Sequence, residues 1–271
     1  MRIWLVCFTI AVMVLPRIAA ADDNIFNSTK AIKEQTVRLG DEALEVVKTP
    51  VDTDGYGFVG TLAVAGAVGL TYVFDDDIRT KLQGSKSRGL DKATDAGTLI
   101  GDPFLHIGIA AAVYGGGIFA ESPRWKETGE MLGETILLAD ATTFVLKETI
   151  GRARPFVKGD KGSFTPGRFK TDYDSMPSMH TSSSFAMASI MAATSESMAA
   201  KVFFYSAATF VGFSRMYQDK HWASDVLLGA AIGELCGRIV IANHVNKGKN
   251  SVSVVPLVSS NSAVLALVGR W

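Results

Sequence analysis

A run of nineteen uncharged residues, YGFVGTLAVAGAVGLTYVF at positions 56–74, limits what this chain can fold into. A helix of that length is about 28 Å long, close to the hydrocarbon thickness of a bilayer. A second apolar run, PFLHIGIAAAVYGGGIFA, occupies residues 103–120. Before residue 250 the chain shows no strand-length alternation of apolar and polar residues. These features predict an all-α protein, a helical bundle of about six core helices packed closely through glycine and alanine.

The other helical segments are less suited to a membrane because they carry charged residues. We expect them at residues 123–150, 181–199, 200–216 and 220–244. Ser122 and Pro123 suit the N-cap and first turn of the first of these helices. The mean hydropathy of the chain, +0.21, is low for a protein with many membrane spans. The sequence therefore favours an exported soluble or membrane-associated bundle over an integral membrane protein.

The two ends of the chain differ in composition from the bundle. Residues 1–21 have the layout of a secretory signal peptide, with a basic residue, an apolar run and small residues at the end. We therefore expect cleavage there and an exported protein that is periplasmic or membrane-associated. Residues 22–54 predict an amphipathic helical segment and residues 55–248 the main helical domain. Within that domain, residues 83–97 are expected to form a linker.

Residues 249–271 form a β-prone tail with two runs, SVSVVPLV and AVLALVGRW, around the polar SSNS. This pattern predicts a short hairpin. Since an isolated hairpin is marginally stable in water, we expect it to pack on the helices or to pair with another chain. The terminal Trp271 is also typical of outer-membrane barrel proteins, but two strands cannot close a barrel. A structural appendage is therefore favoured over a membrane-targeting signal.

Charge and cysteine content exclude two classes of protein. Removing residues 1–21 lowers the number of basic residues from 27 to 25 and leaves 27 acidic residues, so the mature chain has a net charge of −2. Such a chain offers no electrostatic basis for binding nucleic acid. Cys236 is the one cysteine in the expected mature chain, which therefore cannot form an intrachain disulfide.

The stretch KETIGRARP, residues 147–155, places two cations on one side of a helix. Lys147 and Arg154 are seven residues apart, two helical turns, so their side chains point in nearly the same direction. Pro155 disfavours the α conformation at Arg154 and places this arginine at the C-terminal end of the helix. Two cations that only complete a helix would fit the same pattern, because the helix dipole favours positive charge there.

A second stretch, DYDSMPSMHTSSSFAMAS, brings Ser178 and His180 to the start of an apolar helix. The N-terminus of a helix offers unpaired backbone N–H groups and partial positive charge, which together bind anions. Ser178, Thr181 or Ser182 would equally serve as ordinary helix caps. A histidine is an unusual cap, and His180 therefore favours a functional interpretation.

The third stretch, SRMYQDKHWASD, contains Arg215, His221 and Asp225. Four residues apart on a helix, His221 and Asp225 share one face, so the carboxylate can orient the imidazole. An ordinary pair of side chains on the helix surface has the same spacing.

Together the three stretches supply three cations, a hydroxyl, helix N–H groups and two histidines. Phosphoryl transfer without a metal needs these groups, because the phosphoryl oxygens need donors, the phosphorus needs a nucleophile and the leaving oxygen needs a proton. Carboxylates at metal-ligand spacing are lacking, so no metal and no other cofactor are expected. The acidic run DDD at 75–77 is expected to be solvated at a helix end.

In order and internal spacing, the three motifs resemble those of the type 2 phosphatidic-acid phosphatase and vanadium haloperoxidase superfamily. The motifs are Lys, six residues, Arg-Pro; then Pro-Ser-x-His; then Ser-Arg, five residues, His, three residues, Asp. They stand here at Lys147–Pro155, Pro177–His180 and Ser214–Asp225. The resemblance covers roughly residues 55–245 and implies a helical bundle in which the motifs meet in one pocket.

The resemblance also implies a role for each motif residue. His221 corresponds to the nucleophile that forms a phosphohistidine, Asp225 to the carboxylate that orients it, and His180 to the general acid and base. The phosphate-binding positions correspond to Lys147, Arg154, Ser178, Arg215 and the N–H of Met179. The family commonly has glycine at the position of Met179, and methionine avoids some backbone conformations that are open to glycine.

The resulting hypothesis is a metal-independent phosphatase that hydrolyses phosphate monoesters or diphosphates outside the cytoplasm. Lipid phosphates are favoured as substrates, and small soluble phosphoesters suit a freely periplasmic enzyme. A vanadate-dependent haloperoxidase and a non-catalytic structural protein of the cell envelope are alternatives. Residues 156–176 are the expected lid of the pocket. Their basic residues would recruit anionic headgroups or carry ordinary solvated loop charge; these are Lys158, Lys161, Arg168 and Lys170.

Overall fold

The structure is a computed structural model that describes residues 28–53, 56–158, 160–245, 252–259 and 262–269. The described chain is mostly helical, as the sequence predicts, and the predicted signal peptide lies outside the described residues. The helices are α1 (Ser28–Lys48), α2 (Tyr56–Val73), α3 (Asp75–Gly84), α4 (Arg88–Ile100), α5 (Pro103–Phe119), α6 (Pro123–Ile150), the short α7 (Pro155–Lys158), α8 (Met179–Ala193), α9 (Met198–Tyr217) and α10 (Ala223–Val245). There are also 3₁₀ turns at Thr49–Val51 and Thr171–Tyr173, and two strands, β1 (Val252–Ser259) and β2 (Ser262–Gly269).

The chain divides into two compact units. One unit consists of Glu42–Lys249 and contains the helices α2 to α10 with all three motifs. The other consists of Met1–Asp41 and Asn250–Trp271. In this second unit β1 and β2 pair antiparallel, with Ser259 opposite Ser262.

Side-chain caps and prolines set the start of the longest helix, and a glycine sets its end. Ser122 accepts a hydrogen bond from the N–H of Trp125, and Pro123 occupies the first turn of α6, as the sequence predicts. α6 ends at Gly151, whose φ of +61° is the left-handed conformation that favours glycine. Arg154 therefore lies in the loop beyond the helix and not, as predicted, at its C-terminal end.

Residues 83–97 do not form the predicted linker, because most of them belong to α4. Ser87 caps this helix by accepting the N–H of Leu90 at 3.3 Å. Gly97 is buried against α9, where an added methyl group would collide with the side chain of Ser214. The charged residues that suggested a linker lie on the exposed side of an amphipathic helix.

α8 lies at the centre of the helical unit and contacts α5, α6, α9 and α10. On α10 the residues Gly229, Gly233 and Gly237 recur every four positions, so they share one face. A methyl group added at any of them would collide with atoms of α8 or of its N-cap residue Ser178, which shows how closely the two helices approach. This contact fixes the start of α8 against the start of α10, where the second and third motifs lie.

Among the described helices, α2 is the one that by itself is long and apolar enough to cross a membrane. It has 18 residues with a mean hydropathy of 1.5, and none of them is buried. The pair α4 and α5 passes the same test together but is bent by 52° at the break between them. Large apolar side chains are exposed on α2 and α5, including Leu62, Leu70 and Phe104.

Candidate active site

The three motifs meet at one end of the bundle. Their residues come from the last turn of α6, the following loop, the N-cap and first turn of α8, the last turn of α9, the connection to α10 and the first turn of α10. They are Lys147, Arg154, Ser178, Met179, His180, Arg215, His221 and Asp225. The pKa values of His180 and His221 are lowered first by burial and then by the charges of the three cations, Lys147, Arg154 and Arg215, which therefore lie near both rings. The structure thus brings together the residues that the sequence selects.

His221 is 4% exposed, and its Nδ1 lies 2.7 Å from the carbonyl oxygen of Ser175. A carbonyl oxygen can only accept a hydrogen bond, so Nδ1 carries the proton. Burial, and then the charges of Arg154, Lys147 and Arg215, hold the pKa of His221 well below its ordinary value. The ring is therefore neutral at pH 7, with a lone pair on Nε2. An unprotonated Nε2 among three cations is suited to attack an electrophile that these cations hold.

Asp225 contacts His221 less directly than the sequence suggests. Its Oδ2 lies 3.8 Å from Nδ1 of His221, beyond hydrogen-bond distance. Oδ2 instead accepts the hydroxyl of Ser175 at 2.5 Å and the N–H of Trp222 at 2.9 Å. Ser175 therefore lies between the carboxylate and the imidazole: its hydroxyl donates to Asp225, and its carbonyl oxygen accepts from His221. Sequence reasoning missed Ser175, because no spacing rule relates this loop residue to His221.

Lys147 and Arg154 are anchored by the same residue, Asp174. Lys147 Nζ donates to the carbonyl oxygen of Asp174, and Arg154 Nε donates to its carboxylate at 2.7 Å. Burial lowers the pKa of Lys147 to about 8, so its side chain is still mostly protonated at pH 7. The shared anchor holds two cationic groups from different segments side by side.

Arg215 has a buried N–H group, at Nε, that lacks a hydrogen-bond acceptor among the described residues. Its Nη1 donates to the hydroxyl of Thr98 at 3.1 Å, whereas its Nε is buried and has no hydrogen-bond partner among the described residues. Such a buried N–H costs about 1–3 kcal/mol, and an anion that accepts its hydrogen bond removes this cost. Burial and the charge of Arg154 lower the pKa of Arg215 to about 10, so it is cationic at pH 7.

The start of α8 has the geometry of an anion site. Ser178 occupies the N-cap position, but its side chain makes no cap hydrogen bond; its Oγ accepts the hydroxyl of Thr181 at 3.0 Å. The first N–H groups of a helix have no partner within the helix, so they require solvent or a ligand. Met179 belongs to the helix and is not among the residues with positive φ. The N–H of Met179 therefore lies in the first turn of α8, among the N–H groups that have no partner within the helix.

His180 is half-buried at the start of α8, and its environment opposes protonation. Burial, and then the charges of Arg215 and Lys147, lower the pKa of His180 to about 3. A bound dianion would oppose those charges and raise the pKa again. An anion in the site would therefore favour the protonated form of the His180 ring.

The prediction that the acidic run DDD is solvated is wrong for Asp75. Asp76 and Asp77 are exposed, whereas Asp75 is 1% exposed. The carboxylate of Asp75 accepts hydrogen bonds from Arg152 at 2.8 Å and from the N–H of Ser224 at 2.9 Å. These partners are 77 and 149 positions away in the chain, so no local pattern reveals them.

The predicted lid is tied to the helical unit by one of its lysines. Lys161 Nζ donates to the carbonyl oxygen of Val73 at 2.8 Å and lies 3.1 Å from Asp76. Arg168 lies over the ring of Tyr173 at 4.7 Å. Lys161 therefore connects the loop to the junction of α2 and α3.

Among the described residues, one group of side chains has the geometry to hold a metal ion: Glu42, Glu134 and His244. Nε2 of His244 lies 2.7 Å from Oε2 of Glu134. Since Glu134 and Lys147 are about 20 Å apart along α6, this group is separate from the site described above.

Comparison with known proteins gives three similarities in sequence and one in fold. Residues 131–249 match the model of the PAP2 superfamily. The chain is 33% identical over 126 residues to a Lipid A 1-phosphatase of Porphyromonas gingivalis, which covers 45% of this chain and 25% of that protein. It is also 33% identical over 107 residues to a Lipid A 1-phosphatase of Rhizobium etli, which covers 39% of this chain and 45% of that protein. The chain thus spans less than half the length of these curated relatives.

The fold is similar to that of a transmembrane PAP2-type phosphatidylglycerolphosphate phosphatase from Bacillus subtilis, with a TM-score of 0.52 and 21% identity. The match covers 71% of this chain and 95% of the other. It therefore extends the similarity in fold well beyond the residues that match the family model.

Proposed function

Since residues 131–249 belong to the PAP2 superfamily, as the three motifs predict, we propose that this protein is a phosphatase of phosphate monoesters or diphosphates, with lipid phosphates favoured. The observation that carries the proposal is a neutral His221 beside three cations, one of which, Arg215, has a buried N–H without a described partner. A bound phosphate supplies the negative charge and the hydrogen-bond acceptor that this site needs.

The substrate phosphate binds among the side chains of the three cations and the N–H groups at the start of α8. The groups that hold it are Lys147, Arg154, Ser178, the N–H of Met179, and Arg215. Together they neutralise the phosphoryl oxygens and place the phosphorus near Nε2 of His221. Fixed donors around a phosphoryl group stabilise the charge of the transition state without reorganisation of solvent.

In the first chemical step Nε2 of His221 attacks the phosphorus while the bond from phosphorus to the leaving oxygen breaks. His180, protonated because the bound phosphate raises its pKa, donates its proton to the leaving oxygen. The products of this step are a phosphohistidine, a neutral His180 and the free alcohol, or a shorter phosphate when the substrate is a diphosphate. The proton on Nδ1 of His221 remains hydrogen-bonded to the carbonyl of Ser175 throughout.

In the second step a water molecule attacks the phosphohistidine. His180, now neutral, takes the proton of the water, and the bond between phosphorus and Nε2 of His221 breaks. Inorganic phosphate leaves and His221 returns to its neutral state. Asp225 supports both steps, because its negative charge lies 3.8 Å from Nδ1 and stabilises the positive imidazole ring.

A lipid substrate is supported by two features. The two curated relatives are Lipid A 1-phosphatases. The structure also exposes apolar side chains along the whole of α2, which suits contact with lipid. We therefore propose an exported, membrane-associated enzyme whose site opens outside the cytoplasm, with the exposed apolar side chains of α2 in contact with lipid.

The organisation of the chain is part of the proposal. Residues 1–21 act as the signal peptide and residues 22–54 as the amphipathic segment. The main domain at 55–248 has six core helices, α2, α5, α6, α8, α9 and α10. The tail at 249–271 is a hairpin-like appendage, a proposal supported by the division of the chain near residue 250.

A substrate panel tests the proposed function. The full chain, purified in detergent, is assayed with a lipid phosphate, a polyprenyl diphosphate and a small soluble phosphoester, each with and without EDTA. We expect release of phosphate that EDTA does not abolish and that His221→Ala removes. The matched control is His244→Gln, which changes another buried histidine far from the site. Full activity in His221→Ala, or complete loss of activity with EDTA, would contradict the proposal.

A further inference from the structure

Arg152, two residues before the phosphate-binding Arg154, is fully buried and every nitrogen of its guanidinium has a partner. Nη1 donates to Oδ1 of Asp225 at 2.6 Å, Nη2 donates to Oδ2 of Asp75 at 2.8 Å, and Nε donates to the carbonyl of Lys161 at 3.1 Å. The ring of Trp222 covers the guanidinium at 5.2 Å. Two carboxylates thus share one buried cation, and all three side chains are inaccessible to solvent.

Asp75 holds the opposite side of this cluster and belongs to α3, outside the residues that match the family model. Oδ1 accepts the N–H of Ser224 at 2.9 Å, and Oδ2 accepts the hydroxyl of Ser224 at 2.6 Å as well as Nη2 of Arg152. Ser224 precedes Asp225 at the start of α10. The same carboxylate therefore fixes the first turn of α10 and the orientation of the Arg152 guanidinium.

The connection from Arg152 to the nucleophile passes through Ser175 by two routes. The backbone carbonyl of Arg152 accepts the N–H of Ser175 at 3.0 Å. The guanidinium holds Asp225, whose other oxygen accepts the hydroxyl of Ser175 at 2.5 Å. Ser175 is therefore held at both its N–H and its hydroxyl. Its carbonyl oxygen is in turn the acceptor for Nδ1 of His221.

We propose that Asp75 and Arg152 are positioning residues, which fix Asp225 and Ser175 so that His221 keeps its proton on Nδ1 and presents Nε2 to the phosphorus. This inference rests on the proposed phosphatase function. Neither residue touches the substrate. With both carboxylates ionised, the cluster of Asp75, Arg152 and Asp225 has one more negative than positive charge, which would stabilise the positive imidazole of the phosphohistidine. Without Asp75, Arg152 would neutralise Asp225, and the cluster would lose this net charge.

The variants that test this inference are Asp75→Asn, Arg152→Gln and the double variant, with Arg152→Lys as a second change at the arginine. Asn keeps the shape of Asp75 and removes its charge. Lys keeps the charge of Arg152 but cannot bind both carboxylates and the carbonyl of Lys161 at once. The matched control is Arg238→Gln. Arg238 lies on α10, as Asp225 does, and its Nε donates to Oε1 of Glu234 at 2.7 Å, one turn away on the same helix.

The kinetic readout separates positioning from binding. We expect kcat to fall on the order of 10²-fold in Asp75→Asn and in both Arg152 variants, the effect of misplacing a reacting group by about 1 Å. KM should change by no more than about twofold, because the substrate does not contact these side chains. Because the two residues act through one carboxylate, the double variant should lose little more than either single variant.

A second readout does not depend on turnover. Proton NMR of the ¹⁵N-histidine-labelled protein should show a downfield Nδ1 proton for His221, since this proton is buried and hydrogen-bonded to a carbonyl. The resonance should persist in Arg238→Gln and shift or exchange away in Asp75→Asn and Arg152→Lys. If the wild-type protein hydrolyses no phosphate but shows this pattern, the proposed function fails and the positioning role stands.

Retention of wild-type kcat in folded Asp75→Asn and Arg152→Lys, with an unchanged Nδ1 resonance, would overturn the positioning role while leaving the phosphatase function intact. An equal loss of kcat in Arg238→Gln would also overturn it, because the effect would then report general stability. Thermal unfolding of each variant identifies those that are folded. If Arg152→Gln does not fold, Asp75→Asn and Arg152→Lys decide the question.

Discussion

Replacement of Gly229 with alanine tests whether the close contact of α8 and α10 positions the site. A methyl group on Gly229 would lie 2.5 Å from the carbonyl oxygen of Ser178 and 3.3 Å from its carbonyl carbon and nitrogen. Ordinary contact begins near 3.4 Å, so the helices must separate by about 0.9 Å. The backbone N–H of Ser178 donates a hydrogen bond to the carbonyl oxygen of Asp225 at 3.0 Å, and the same separation of the two helices would strain this hydrogen bond.

The magnitude follows from two opposing terms. Overpacking of a close helix contact costs about 1–3 kcal/mol, whereas alanine in place of glycine inside a helix gains about 1 kcal/mol. The net loss of unfolding free energy is therefore about 0–2 kcal/mol, or a fall in Tm of at most about 8 °C for a unit of this size. The effect on catalysis is larger. Moving Ser178 and His180 by nearly 1 Å relative to His221 should lower kcat on the order of 10²-fold.

The assay compares kcat, KM and thermal unfolding of Gly229→Ala with those of Gly133→Ala. Gly133 also lies inside a long helix, but a methyl group there meets no atom within 4 Å. Gly133→Ala should therefore keep wild-type kcat and gain up to about 1 kcal/mol of stability. Wild-type kcat and Tm in Gly229→Ala would refute the argument, because the helices would then not be in the close contact described.

Two further predictions concern the charges of the site. Arg215→Gln should raise the KM for a phosphoester and the inhibition constant for inorganic phosphate by at least tenfold, because it removes a charge-assisted hydrogen-bond donor. A steady-state assay with phosphate as inhibitor measures both constants. Unchanged constants would show that the anion binds elsewhere. His180 and His221 should make the protein less stable as the pH falls below about 6.5, because their pKa values are lowered in the folded state and ordinary in the unfolded chain; Asp140, whose pKa burial raises to about 8, acts in the opposite direction. Urea unfolding of the wild type and of His180→Gln at pH 7 and pH 5 isolates the histidine effect, since Asp140 is common to both proteins. The wild type should lose more stability than His180→Gln, a saturating phosphate analogue should reduce the difference, and equal losses would contradict the burial of a neutral imidazole at His180.

The sequence predicts well those features that depend on local rules. The start of α6 follows from Ser122 and Pro123, and the two apolar runs become α2 and α5. The motif residues meet at one end of the bundle because each lies at or next to a helix terminus. These terminal positions can be identified from prolines, serines and the change from polar to apolar sequence.

The features that the sequence does not reveal depend on distant parts of the chain. The sequence predicts Asp75 to be one of three solvated acids, because its partners Arg152 and Ser224 come from distant parts of the chain. Ser175 lies in an irregular loop, and its link between Asp225 and His221 is set by the backbone path. The expected direct contact of His221 with Asp225 followed from helical spacing, but His221 precedes the first residue of α10. Helical geometry therefore does not apply to that pair.

The most direct test of the account is isolation of the phosphoenzyme. The full chain is mixed with a ³²P-labelled aryl phosphate, quenched within milliseconds under alkaline conditions, digested and mapped by mass spectrometry. An aryl leaving group needs little help from a general acid, so His180→Ala should slow hydrolysis of the intermediate and let it accumulate. We predict stoichiometric label on His221, stable in alkali and labile in acid, and no label in His221→Ala. Hydrolysis of the substrate at the wild-type rate with no label on His221 would contradict the central claim.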